Sequence, residues 1–178
     1  FGSSSTGSYD ALSVGDRVFV LLFDGPDSFV GVLHYVPGEH TYHFAPEAPA
    51  LIPVSLGEET ASLARDSFGR LWIAYDTVAS NVAVVWSDYP YNAWSDQIVL
   101  ATGLKSDDIS AVVSFPGGVG VLWSDQNARS FGFRFHVDTA QPGDWSAKET
   151  IRGPGGNVAD DHVNLKSASD GAISAVVK

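Results

Sequence analysis

The chain of 178 residues contains no cysteine and no methionine. The first absence excludes disulfides, thiolate metal sites and cysteine nucleophiles together. The second, in a chain that opens on Phe1 and continues Gly2-Ser3-Ser4-Ser5-Thr6-Gly7-Ser8, leads to the expectation of a processed chain or a piece of a longer one, with a linker-like start. Basic residues are scarce: Lys+Arg is 10 against Asp+Glu 21, a formal charge of −11. That balance repels phosphate backbones and anionic lipid, so no nucleic-acid partner is expected, while cations, neutral sugars and basic protein patches remain compatible. No run approaches the ~18 apolar residues of a membrane span, so no membrane insertion is expected. Helical periodicity is nearly missing too. One window, Ser55–Arg65, has a capping-box pair in Ser55 and Glu58. It is read as strand-forming instead, because Ala61, Leu63 and Arg65 fall in register with strands elsewhere in the chain.

What is present is apolar, aromatic and repetitive. Hydrophobic residues make up 44% and aromatics 12%, including five Trp, enough to build a core in one domain of this length. Short runs rich in Val, Ile, Phe and Trp alternate with Gly, Pro, Asn and Asp, the pattern of strands joined by tight turns. Strands are predicted over Gly69–Tyr75, Asn81–Asp88, Trp94–Leu100, Ile109–Ser114, Val119–Trp123, Phe131–Val137 and Trp145–Ile151. Trp94-Ser95 returns as Trp145-Ser146, Leu100 as Ile151, Asp88 as Asp138, and Asp107-Asp108 as Asp160-Asp161. Trp86-Ser87-Asp88 is also matched by Trp123-Ser124-Asp125, and His34 by His136.

Four strands per unit of about 51 residues is the arithmetic of a β-propeller blade. The expected fold is therefore all-β: a propeller of four-stranded antiparallel blades, about three and a half of them present. The expected units are a divergent first blade over 1–57, a second over 58–104, a third over 105–156, and two strands of a fourth over 157–178. An open set of blades exposes an apolar face at each end, so the rest of the ring is expected from a longer chain or another subunit.

The run Ala159-Asp160-Asp161-His162-Val163-Asn164-Leu165-Lys166, with Phe131-Gly132-Phe133-Arg134-Phe135-His136 and the Trp-Ser strand starts, resembles the sialidase-like (BNR-type) propeller proteins, large secreted bacterial proteins mostly without an assigned activity. The resemblance spans about residues 58 to 178. It implies a propeller fold and an extracellular or cell-surface bacterial location. It does not imply sialidase activity: the Asp-box Ser-x-Asp-x-Gly-x-Thr-Trp does not occur, and Arg65, Arg70, Arg129, Arg134 and Arg152 match no arginine triad.

Glu59, Asp108 and Asp161 hold equivalent places just before the first strand of successive units. In a propeller that strand lines the axis, so these carboxylates are expected to converge there. Converging carboxylates bind Ca²⁺, the one cofactor considered, or act as an acid/base pair on a glycosidic bond. Against this, a residue that recurs in every unit serves the scaffold more readily than it serves chemistry, by capping turns. His162 follows Asp161 where the other units have Thr60 and Ile109, and is the non-repeating member of the set. Asp161, His162 and Asp108 are thus the catalytic candidates, and Glu59, Asp108 and Asp161 the metal candidates.

Asn164 and Lys166 would place polar groups along an otherwise apolar inner strand. Tyr89 and Tyr91 sit on a turn without counterparts in other units, where rings can stack on a pyranose. These four are the ligand-binding candidates. Tyr35, Tyr42 and Phe44 are a further set of loop aromatics, and His40 and His43 lie at a spacing that two zinc ligands can use. Three functions remain: a non-catalytic binding or adhesion module for a glycan or surface protein, which is favoured; a glycosidase or polysaccharide lyase; and a structural assembly subunit.

Overall fold

The computed structural model describes residues 6–24, 27–46, 50–52, 60–151, 159 and 162–177, and all the regular structure among them is β-strand. Among the described residues, fifteen strands form four antiparallel sheets, none closed into a barrel. The first sheet runs β1 (Thr6–Val14), β2 (Arg17–Asp24), β3 (Asp27–Val36) and β4 (Thr41–Phe44), with β5 (Ala50–Ile52) sharing the outer edge of β3. The second is β6 (Ala61–Arg65), β7 (Leu71–Asp76), β8 (Val82–Ser87) and β9 (Ile98–Ala101). The third is β10 (Ser110–Phe115), β11 (Gly118–Asp125), β12 (Ser130–Val137) and β13 (Glu149–Ile151). The fourth pairs β14 (Val163–Ser167) with β15 (Ile173–Val177). The first and second strands of each sheet are joined by short turns. At Pro116-Gly117 the turn needs the positive φ of 89° that glycine supplies without strain.

Packing explains why the middle strands lack polar alternation. Leu71, Ile73 and Tyr75 of β7 enter one cluster with Phe19, Leu21, Val30 and Val32 of the first sheet. Trp72 and Ala74, on the opposite face, enter another with Val119, Val121 and Trp123 of the third. The second sheet is therefore apolar on both faces, and β7 reads as a continuous buried run. Trp72 meets Trp145 edge-on at 5.6 Å and His136 at 4.9 Å. His136 is held by a 3.0 Å hydrogen bond between Nδ1 and the Asp144 carbonyl.

The Trp-Ser repeat has a physical basis that differs from the one expected. Trp94–Gln97 and Trp145–Lys148 are not strand. Instead Ser95 N donates to the Trp86 carbonyl at 2.9 Å while Ser95 Oγ accepts from Trp86 N at 3.0 Å. Ser146 does the same to Phe135, at 2.8 and 3.0 Å. One serine thus bridges both backbone groups of the third strand before regular pairing begins, and the adjacent Trp turns into the core shared with the preceding sheet. The two Trp-Ser-Asp triplets, by contrast, are not equivalent. Trp86 lies on the third strand of its sheet and Trp123 on the second strand of the next. Of the window weighed as a helix, Ala61–Arg65 is β6, and residues 55–59 lie outside the described residues.

Tyr75 provides a first test of this packing. Its hydroxyl is buried with no hydrogen-bond partner among the described residues, and burial pushes its pKa from 10.0 up to about 12. The unfolded chain releases this proton near pH 10 while the folded protein resists, so stability is expected to fall as pH rises from about 10 to about 12. In Tyr75→Phe that contribution vanishes and the orphaned hydroxyl is gone. The variant should gain about 1 kcal/mol at neutral pH and about 1 kcal/mol more relative to the parent near pH 11. Urea midpoints at the two pH values check both figures.

Candidate functional site

The first strands of all four sheets, β1, β6, β10 and β14, come together around a cavity of about 450 Å³. An innermost strand pairs along one edge and presents the other to the cavity, where unpaired N–H groups are costly. Side chains from the preceding innermost strand take them up. Asp10 Oδ2 accepts from Leu63 N at 2.9 Å, and Ser62 Oγ accepts from Val112 N at 2.8 Å. Thr60 Oγ1 accepts from Ser110 N at 3.4 Å. The partners are separated by 53, 50 and 50 residues, so each bond joins one unit to the next. Ala111 replaces the hydroxyl at the equivalent place in β10, so this clasp is not repeated toward β14. There the wall carries Asn164, Lys166 and Ser167 instead.

The acidic candidates fare differently from their expectation. Glu59 and Asp161 lie outside the described residues, as does Asp160. Asp108 is buried, and its carboxylate accepts from Lys105 N at 2.8 Å and from Gln126 N at 3.1 Å. Both oxygens are thereby occupied in closing the turn before β10, and Ile109, not Asp108, begins the wall of the cavity in that strand. Asp108 thus acts as a turn staple. Among the described residues, no group of three or more His, Asp or Glu side chains is arranged to hold a metal ion. His162 is exposed immediately before β14. His40 and His43 have separate partners: His43 Nε2 lies 2.7 Å from Glu39 Oε2, and His40 Nδ1 lies 3.4 Å from Tyr35 Oη.

The two loop tyrosines also part. Tyr89 is exposed, 63% of its surface open to solvent, and packs edge-on against Tyr91 at 5.7 Å. Tyr91 is buried: its hydroxyl donates to the Gly69 carbonyl at 2.8 Å and its ring meets Phe19 at 5.4 Å. The positive φ of 67° at Tyr91 turns its ring inward, so Tyr91 anchors the loop and Tyr89 alone of the pair offers a face. A second aromatic surface lies on the outward face of the first sheet. There Leu33 opposes Phe44 and Tyr35 opposes Tyr42 directly across β3 and β4, which puts the exposed rings of Tyr35, Tyr42 and Phe44 on one side. They are strand residues, not the loop aromatics expected.

The sequence marks Asp66 only as the start of a turn and Asp138 only as the counterpart of Asp88, and the structure gives each a further role. Asp66 is buried and accepts three bonds, from Phe68 N at 3.0 Å, Arg70 N at 2.8 Å and Trp72 Nε1 at 3.0 Å. Asp138 accepts from both the backbone N–H and the hydroxyl of Ser67, tying a turn of the second sheet to the end of β12. Asp66 opens the Asp-Ser-Phe-Gly turn, where an aspartate that binds its own following N–H groups is the ordinary signal. Nothing local marks Asp138, because its partner lies 71 residues away. Compared with known proteins, the chain matches no family model and no curated protein.

Proposed function

We propose that the four sheets are successive blades of a partial β-propeller, and that the chain is a non-catalytic binding module recognising a glycan or a surface protein. The shared cavity between first strands and the clasps that step from unit to unit support the blade reading. One observation carries the functional reading: among the described residues, Asp108, Ser95 and Ser146, which recur between units, are consumed by the scaffold. Asp108 staples a turn and Ser95 and Ser146 bridge strands, while the non-repeating Thr60 and Ser62 cap strand edges. The groups left to meet a ligand are non-repeating, namely Asn164 and Lys166 on the exposed side of β14 and Tyr89 on its loop. A wall of hydroxyls and an amide, with the Asp10 carboxylate and the Lys166 ammonium offsetting each other in charge, suits a neutral, polyhydroxylated ligand. By the resemblance to sialidase-like propellers, the module belongs to an extracellular or cell-surface bacterial protein, with the rest of the ring supplied by further chain or another subunit.

The test is retention on an array of neutral and acidic glycans, followed by titration of the strongest binder against Asn164→Ala/Lys166→Ala. Both side chains are exposed, so the melting temperature should hold while affinity drops at least about tenfold. Equal affinity in the double variant, or no retention on glycans or cell-surface protein, refutes the proposal. New reducing ends after incubation with the bound glycan would put the glycosidase reading first instead.

A further inference from the structure

We propose that the chain holds a second sugar subsite, selective for a hexuronate residue, in which Arg65 takes the carboxylate. The subsite deepens the reading of the chain as a binding module and rests on the glycan side of that reading. Arg65 ends β6, Ser114 and Phe115 end β10, and Ser167 ends β14, so the site gathers the far ends of three successive first strands. With Ser67 and Ser169, on the turns that follow β6 and β14, they line a cleft of about 350 Å³. Ser114 and Ser167 also line the larger cavity between the first strands. The two spaces therefore share a wall, and one oligosaccharide can occupy both.

Charge singles out Arg65. The chain has 21 acidic residues to 10 basic ones, yet among the described residues no carboxylate pairs with this guanidinium. The ion pairs there are His43 with Glu39, Arg70 with Asp88 and Lys148 with Asp125. Arg65 is nevertheless held in place and half-buried. Its Nε donates to Tyr91 Oη at 3.4 Å, and that hydroxyl donates in turn to the Gly69 carbonyl at 2.8 Å. A Cβ on Gly69 would lie 2.7 Å from Arg65 Nη2, so the guanidinium fills space that any other residue would take. The carboxylates beside the cleft are committed elsewhere: Asp66 to three N–H donors, and Asp138 to Ser67. A positioned guanidinium matches a carboxylate in both shape and charge. One cation also balances a monoanion and leaves a phosphate dianion uncompensated in a protein of net charge −11. The other walls fit a pyranose. Ser114, Ser167 and Ser169 supply hydroxyls for those of the ring, while Phe115 and Pro116 give its C–H face an apolar side.

The probe is free glucuronate, titrated into the isotope-labelled full chain and followed by NMR, with glucose as its neutral match. Glucuronate should bind saturably in the low millimolar range, and glucose at least about tenfold more weakly. Amide shifts should concentrate at Ser114–Gly118 and Ser167–Ser169. Arg65→Gln should weaken glucuronate at least about tenfold and leave glucose unchanged. Arg65→Lys, which keeps the charge and loses the fork, should fall between the two. Should Arg65→Gln fail to fold, Ser167→Ala/Ser169→Ala keeps the test, since both side chains are exposed. That pair should weaken binding about threefold or more with the melting temperature unchanged. Equal binding of the two sugars, undiminished binding by Arg65→Gln or the serine pair, or shifts confined to Asn164 and Lys166 each overturns the proposal. Inorganic sulfate that displaces glucuronate at equal concentration reduces the site to a bare anion hole and overturns its assignment to a sugar. No saturation by glucuronate up to about 100 mM overturns the subsite alone if a neutral glycan is still retained on the array, and the glycan reading with it if none is.

Discussion

Replacing Trp72 by alanine is expected to cost about 3–5 kcal/mol, the range for emptying a large buried aromatic site. Trp72 is fully buried at the contact between the second and third sheets, where its ring meets Trp86 at 6.3 Å, Trp145 at 5.6 Å and His136 at 4.9 Å. Arg70 lies over both Trp72, at 5.8 Å, and Trp86, at 4.4 Å, and pairs with Asp88 at 3.2 Å, so the guanidinium shields the outer side of the stack. The indole N–H is equally committed, because it donates to Asp66 Oδ2 at 3.0 Å. Truncation therefore opens a cavity and strips one donor from a buried carboxylate, and the two losses add. Against a total stability of about 5–15 kcal/mol this is a large share, and recovery of the variant is expected to require stabilising buffer. Trp72→Phe separates the terms, since it keeps most of the ring and loses the N–H. Urea midpoints of the three proteins decide the matter: an alanine variant within about 1 kcal/mol of the parent would show that this tryptophan does not close the interface.

Gly132→Ala is the second change expected to be severe, at about 3 kcal/mol. Gly132 pairs directly with Trp123 across β11 and β12, and a Cβ on Gly132 would fall inside the Trp123 indole. That indole is fully buried among Val112, Val119 and Val121, with the Lys148 ammonium 5.7 Å from its centre, so it has nowhere to go. Gly120 makes the informative control. Its added Cβ would meet the tip of Phe133, a partly exposed ring that can swing outward, so Gly120→Ala should cost about 1 kcal/mol or less. Equal losses in the two variants would mean that freedom of the facing ring does not set the cost. Both are read as shifts of the thermal midpoint by circular dichroism.

The same contrast between local and distant partners governs how much was legible beforehand. The strands from Leu71 to Val137 were readable because their signals are local: runs of β-branched and aromatic residues, cut by Gly, Pro and Asp turns. The Trp-Ser pair was readable as a repeat but not as a clasp, since a serine bonded to both backbone groups of a neighbouring strand looks, in sequence, like the start of a strand. The Trp-Ser-Asp triplets misled because Trp86 lies on a third strand and Trp123 on a second, and composition does not distinguish which strand a residue occupies. Tyr91 was read as a ligand face and proved to be an anchor, through a positive φ and a hydroxyl bond to Gly69, 22 residues away.

Asp108 shows the limit most plainly. Its recurrence was visible in sequence, and so was the choice between turn staple and axial acid. The two backbone N–H groups that occupy its oxygens were not, because Gln126 reaches it from across the β10–β11 hairpin. The sequence by itself determined an all-β chain, its turns and the units that repeat along it, all of which follow from contacts between residues near each other in the chain. Tertiary structure alone decided which polar groups are consumed by the scaffold, which rings face solvent, and that four first strands share one cavity. Those depend on which sheet faces which, and faces are brought together by burial of apolar surface that carries no label of its partner.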